Sequence, residues 1–221
     1  MPRLFSYLMT HDTGFAPNPF HGTLTLATCK PGIRRTKREG DWVAGFASGA
    51  LVKASKVKIN DQGLIYLMRI GKILSLDEYF LAPQFQTKKP SPEINTVRNL
   101  QKDYGDNIYF HDAMGNPQQL KNGNHFPGDI ERDIGGENVL IADKFYYFGR
   151  NCPIPDGGWA NMSIRIPDGR PTCYGYENDE VAINNICFYL HSKNYAHGIH
   201  GDPCLWEERA NKFQTISSCA R

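Results

Sequence analysis

Several signatures are absent from this chain, and each absence removes a class of chemistry. There is no Gly-x-x-x-x-Gly-Lys-Ser/Thr loop, no Gly-x-Gly-x-x-Gly after a strand, no Gly-x-Ser-x-Gly elbow and no His-Glu-x-x-His pair. P-loop nucleotide hydrolysis, Rossmann redox chemistry and standard zinc proteolysis therefore have no support. No run approaches the roughly 18 uncharged apolar residues of a membrane span, and the first dozen residues lack the charged, apolar and small-residue succession of a signal peptide. A cytoplasmic protein without a membrane partner is expected. The six cysteines, at 29, 152, 173, 187, 204 and 219, form no Cys-x-x-Cys pair, so reduced thiols are expected rather than a disulfide framework. Charge of one sign is lacking too. With 25 Lys+Arg against 23 Asp+Glu the net charge is +2, and no whole-protein field announces nucleic acid. Such a partner must be read from local clusters.

What is present describes a folded chain. Of 221 residues 40% are hydrophobic, too many for disorder, while 21 glycines and 14 prolines imply long ordered loops. Leu4 to Met9 reads as a strand, and His11 to Phe20, holding Pro17 and Pro19, as a loop. Thr23 to Thr28 alternates with period two, as a half-buried strand does, and delivers Cys29, Lys30 and Pro31 at its end. Gly40-Asp41 turns into the apolar run Trp42 to Ala47, and Leu64 to Ile70 is a further strand, with Gly49 to Gly63 a polar excursion between them. Leu76 to Leu81 reads as a short helix capped by Ser75, with Asp77 and Glu78 in its first turn and Pro83 ending it. Residues 84–137 read as a loop-rich insertion around Ile108-Tyr109-Phe110. Asn138 to Phe148 is the clearest later strand, and Asn178 to Tyr195 a C-terminal helix capped by Asn178 or Asp179. The expected architecture is α+β: a single domain over 1–221 with a twisted, partly open β-barrel, long loops and a C-terminal helix.

The residues that carry chemistry concentrate near the N-terminus. Asn18 stands between Pro17 and Pro19, so its donor and acceptor point in a preset direction, which suits reading the edge of a polar ring; equally, this is a braced surface loop. Cys29 has Lys30 beside it and Arg34 close after it, and positive neighbours favour a nucleophilic thiolate; equally, a cysteine after a strand is a small buried group. Lys30, Arg34, Arg35, Lys37 and Arg38 place five cations within nine residues just before Trp42, a combination that holds phosphates and stacks a base, or else a solvated loop. His125 and His111 each suit a general base near neutral pH. Cys187 and His191 fall four apart on one helix face, but the remaining spacing matches no zinc module. Neither a metal nor another cofactor is expected.

At Gly14-Phe15-Ala16-Pro17-Asn18-Pro19-Phe20, Thr25-Leu26-Ala27-Thr28-Cys29-Lys30-Pro31, Ile33-Arg34 and Gly40-Asp41-Trp42, the sequence resembles the nucleotide modification associated domain 2 family. The likeness extends through Asp106 to Tyr109, His125, Val139 to Ile141 and Phe145 to Gly149, covering roughly residues 4 to 205. The family is linked to pathways that hypermodify nucleotides in phage and bacterial DNA, so the resemblance implies a modified nucleotide or DNA as partner, alongside other base-modification enzymes. The turn Gly40-Asp41-Trp42-Val43-Ala44-Gly45 is also similar to that of PUA-like readers of modified bases.

Two functions follow as expectations. In one, Cys29 attacks an electrophilic carbon of a base while His125 moves protons. In the other, a non-catalytic PUA-like reader holds an extruded base with Asn18, Phe20, Trp42, Tyr79 and Tyr147, and holds phosphates with Lys30, Arg34 and Arg35. A third reading makes the domain the scaffold of a modification complex.

Overall fold

The computed structural model describes residues 1–91, 100–167, 174–175 and 179–206; Cys173, Cys219 and Asn178 lie outside them. In chain order the elements are β1 (Leu4–Met9), β2 (Thr25–Leu26), α1 (Pro31–Thr36), β3 (Trp42–Ala47), α2 (Gly49–Ala54), β4 (Leu64–Ser75), α3 (Leu76–Leu81), α4 (Leu100–Asp103), β5 (Tyr109–His111), β6 (Pro117–Gln119), α5 (Ile130–Ile134), β7 (Asn138–Tyr147), β8 (Tyr174–Gly175), α6 (Asp179–Ser192) and β9 (Gly198–Ile199). They form two units. The first comprises Met1–Asp12, Arg38–Gly71 and the described part of Ala142–Glu207, and the second is built from Thr13–Lys37 and Lys72–Ile141.

The first unit is organised by β3, which is apolar in both phases and buried at every position, the pattern of a strand covered on both faces. β3 pairs in parallel with β1, Leu4 opposite Trp42 through Met9 opposite Ala47. On its other edge it runs antiparallel to β4, with Trp42 opposite Arg69 and Gly45 opposite Tyr66. β8 continues antiparallel on β1, β7 lies beside β4, and β9 joins β7 in parallel at Tyr146 and Tyr147. The fold is thus α+β with a mixed sheet. Its order β7-β4-β3-β1-β8 is an open path that no pairing among the described residues closes.

α6 covers this sheet with Ala182, Ile183, Ile186, Tyr189 and Leu190, a helical spacing, in one cluster with Leu4, Trp42, Ala44, Phe46, Leu64, Leu67 and Phe148. Burying each large member contributes about 1.5–3 kcal/mol, so this layer is the unit's main stabiliser. At Gly45 a β-carbon would lie 2.4 Å from the Tyr66 ring and 2.5 Å from Met9 Sδ, so only glycine lets these side chains cross the strand. No described helix is long and apolar enough to cross a membrane.

The second unit has less regular structure and a polar interior. β2 pairs with the start of β7, Thr25 opposite Ile141 and Leu26 opposite Leu140, and Asn18 exchanges two main-chain hydrogen bonds with Thr25. The strand read over Thr23 to Thr28 shortens to these two residues. α3 carries a reciprocal cap, with Ser75 Oγ accepting from Glu78 N at 3.2 Å and Glu78 Oε2 accepting from Ser75 N at 2.7 Å. The sequence does not announce four of the helices, α1, α2, α4 and α5, the last two lying in the stretch read as loop-rich over 84–137. α2, capped by Ser48 Oγ, lies in the excursion after Gly49 and buries only Leu51. α1, with Pro31 in its first turn, lies in the cationic run and buries Ile33 and Arg34.

Inside this unit Lys88 is fully buried, donating to Asn18 O at 3.1 Å and Asn18 Oδ1 at 2.9 Å. Asp106, also buried, accepts from Thr25 Oγ1 at 2.6 Å and Tyr79 Oη at 2.8 Å. Burial pushes the Asp106 carboxyl up and the Lys88 ammonium down to about 8, each charge partly offsetting the other's shift.

Two predictions follow from these interiors. Gly45→Ala should cost about 1–3 kcal/mol, seen as a lower urea midpoint at constant m; an unchanged midpoint would show that Tyr66 and Met9 repack freely. Because the native pKa of Lys88, about 8, lies below the free value of 10.5, its contribution to stability is complete above 10.5 and lost as pH falls through 8. Relative to Lys88→Met, the wild-type chain should gain on the order of 3 kcal/mol across that window, and a pH-independent difference in urea denaturation would contradict it.

Candidate functional site

The second unit gathers its reactive side chains where β2 gives way to α1. Cys29 and Lys30 both adopt left-handed backbone angles, φ 54° and 42°, so the chain reverses sharply before Pro31 opens α1. Cys29 is the half-buried residue at the head of this turn. Its Sγ lies 3.2 Å from His125 Nε2.

His125 is held from several directions. Asn122 Oδ1 accepts from the main-chain N–H groups of both Asn124 and His125, at 2.8 and 2.7 Å, and Gln119 Nε2 donates to the His125 carbonyl at 2.9 Å. The Phe15 ring meets the imidazole edge-on at a centroid distance of 4.8 Å. On its far side, Nδ1 lies 2.9 Å from Asp133 Oδ2, a carboxylate carried by α5 with no solvent exposure of its side chain. The same Oδ2 accepts from the Cys29 main-chain N–H at 3.0 Å. Tyr109 on β5 places its hydroxyl 2.9 Å from Nδ1 and hydrogen-bonds the carboxylate.

Electrostatics settle the protonation roles. Burial pushes Asp133 up, yet the hydrogen bond and charge of His125, the Cys29 N–H and the Arg34 cation outweigh it and hold the carboxyl below its ordinary value. Burial and then the Asp133 charge push Tyr109 up, so it stays a phenol and a donor. In the neutral ring, a carboxylate facing Nδ1 favours the hydrogen on that nitrogen, which leaves Nε2 to accept from the thiol. The arrangement is a cluster of a thiol, an imidazole and a carboxylate, able to move the thiol proton onto His125 while Asp133 stabilises the imidazolium.

Cys29, His125 and Asp133 also qualify by type as metal ligands, their ligand atoms lying within 4.8 Å of one another. Sγ lies nearest Nε2 and Oδ2 nearest Nδ1, and an ion held there would take Sγ, one ring nitrogen and a carboxylate oxygen.

The other residues singled out from the sequence lie elsewhere. Asn18, Phe20 and Tyr79 are buried in the second unit, where the Asn18 amide donates to Tyr104 O at 2.8 Å and accepts from Phe20 N and Lys88. Trp42 and Tyr147 are buried in the first unit, Trp42 in the α6 cluster and Tyr147 donating to Asp12 Oδ1 at 2.6 Å. None of the three rings, Trp42, Tyr79 or Tyr147, presents a face to solvent in this structure. Lys30 is half-buried beside Cys29, and Arg35 is exposed, donating to Gly135 O at 3.3 Å. Arg34 is wholly buried and gives its donors to main-chain carbonyls rather than facing outward. Asp133 and Tyr109 were not identified as site residues. Nothing local marks Asp133 within Glu131-Arg132-Asp133, which reads as a solvated helical turn.

Comparison with curated proteins finds no match, and comparison with solved structures finds none either. A family model does match, over residues 1–210 of the 221. The chain therefore belongs to the nucleotide modification associated domain 2 family, whose name ties it to nucleotide modification.

Proposed function

We propose that this protein acts on a modified nucleotide or DNA base by covalent catalysis, with Cys29 as the nucleophile. The observation that carries the reading is the contact of Cys29 Sγ with His125 Nε2 at 3.2 Å, with Asp133 Oδ2 2.9 Å from Nδ1 of the same ring. His125 takes the thiol proton, and the thiolate forms a bond to the carbon of a C=N or C≡N centre on the base. A π electron pair of the carbon–nitrogen multiple bond moves to nitrogen, which receives the proton from the imidazolium. In release His125 takes a proton from water as its oxygen bonds the same carbon, the C–S bond breaks with its pair on sulfur, and the imidazolium returns the proton to the thiolate, so that water has added across the carbon–nitrogen bond.

Asp133 and Tyr109 keep the ring oriented throughout. Lys30, next to Cys29 in the chain, and the exposed Arg35 of α1 supply positive charge toward a phosphate. Arg34 has no such part, since its donors point inward. The reader function competes with this one, but it places its stacking on Trp42, Tyr79 and Tyr147, whose faces are buried.

Native mass spectrometry with a panel of modified nucleosides, nucleotides and short modified DNAs separates the two. A mass change in the ligand that is lost in Cys29→Ser is expected; tight retention of an unchanged base by both proteins would establish the reader instead. In the same turnover assay, Asp133→Asn should lower kcat by about 10²- to 10⁴-fold by releasing the tautomer and orientation of His125. Prolonged dialysis against a chelator should leave turnover intact, whereas activity restored only by added Zn²⁺ would make Cys29 and His125 metal ligands.

A further inference from the structure

We propose that Arg34 is the positioning residue of this site: its guanidinium fastens the main chain of the nucleophile to the main chain of the residue that orients the base. The inference rests on the reading of Cys29 as a nucleophile.

Arg34 is among the largest fully buried side chains of the described residues. Its Nε donates to Cys29 O at 2.8 Å, one terminal nitrogen to Asn138 O at 3.0 Å, and the other to Asp133 O. Asn138 Nδ2 returns a hydrogen bond to Arg34 O at 3.3 Å, and Arg34 N donates to Lys30 O at 3.1 Å, so both ends of the residue are fixed. These contacts span 104 residues, from the turn at Cys29 to α5 at Asp133.

A buried cation is costly, and an apolar side chain of similar volume would fill the same space at lower cost. What an apolar side chain or a lysine cannot do is donate along three fixed directions at once, which is the property of the planar guanidinium fork. The charge also has a purpose here, since it sits beside the Asp133 carboxylate and favours its ionised form.

The turn that Arg34 holds needs holding. Cys29 and Lys30 both sit in the left-handed region, where the β-carbon crowds the carbonyl at about 1–2 kcal/mol for each residue. Pinning the Cys29 carbonyl through Nε stops that turn from relaxing, and a relaxed turn would carry Sγ out of hydrogen-bond reach of Nε2. The opposite wall of the guanidinium slot is Gly136, where a β-carbon would stand 2.4 Å from Arg34 Cζ. Position 136 is therefore shaped to the same guanidinium.

The test uses the full chain and iodoacetamide, with the rate at Cys29 followed by peptide mass spectrometry at pH 6.5 and pH 9.5. At pH 6.5 a thiol depends on its base for ionisation, whereas at pH 9.5 any accessible cysteine is ionised. Wild type against His125→Ala reads the nucleophile itself, with a fall of tenfold or more expected at pH 6.5 and little change at pH 9.5. Arg34→Lys, which keeps the charge and loses the fork, should show the same selective fall in a folded protein. Gly136→Ala, which leaves Arg34 in place and crowds it, should fall in the same direction. A generally loosened fold would instead raise alkylation at both pH values and at the buried Cys152 and Cys204. Arg34→Lys or Gly136→Ala with wild-type rates at both pH values overturns the inference while leaving the nucleophile standing. His125→Ala with a wild-type rate at pH 6.5 overturns the nucleophile itself.

Discussion

A single ionised carboxylate with no access to water shapes the second unit. Asp133 stays charged in the interior through donors that converge on Oδ2 from separate stretches of chain, while its buried Oδ1 has no hydrogen-bond partner among the described residues. The imidazole comes from a loop, the Cys29 N–H from a reversed turn, the phenol from a hairpin strand and the guanidinium field from α1. Losing any one leaves a buried charge less compensated, which ties the order of these stretches to one another. The same contacts hold the imidazole against the thiol, so in the proposed reaction stabilising the carboxylate and activating the thiol are one arrangement.

The two units solve the problem of stability differently. The first relies on area: a strand apolar on both faces, sheet neighbours in mixed directions and a helix laid over them. The second buries Lys88, Asp106, Asn18, Asn107, Arg34 and Asp133, and answers each with hydrogen bonds. Polar interiors of this kind specify a narrow set of side-chain positions, because a misplaced partner costs more than a misplaced methyl group. Such definition suits a unit in which separations near 3 Å decide whether a proton moves.

Periodicity made the first unit readable. β1, β3 and the body of β4 carry runs whose apolar phases match their burial, and the helical spacing of Val181, Ile183, Ile186, Cys187 and Leu190 marks most of the buried face of α6, although Val181 is exposed and Ala182 is buried instead. α3 was legible from chemistry rather than pattern, through Ser75 and Glu78. The site was legible only in pieces. Cys29 and His125 stood out by residue type and by the company of cations and family blocks, but nothing local says that residues 96 apart meet. Asp133 resembles a surface charge, and Arg34 resembles its neighbours Arg35 and Lys37, because sequence does not give the direction of a side chain. The aromatic residues misled for the same reason: Trp42, Tyr79 and Tyr147 have faces fit for stacking, and burial spends them on packing and on hydroxyl hydrogen bonds.

If Cys29 is the nucleophile proposed above, the left-handed turn there sets stability and activity against each other. Glycine at position 29 would adopt φ near 54° at no steric cost, and asparagine at little, so the most comfortable residues there are ones without a thiol. A library selected only for thermal resistance would drift toward them and discard the reactive group in the process. Retention of cysteine at that position, against its backbone preference, is the mark by which chains that still perform the chemistry can be told from those that keep only the scaffold.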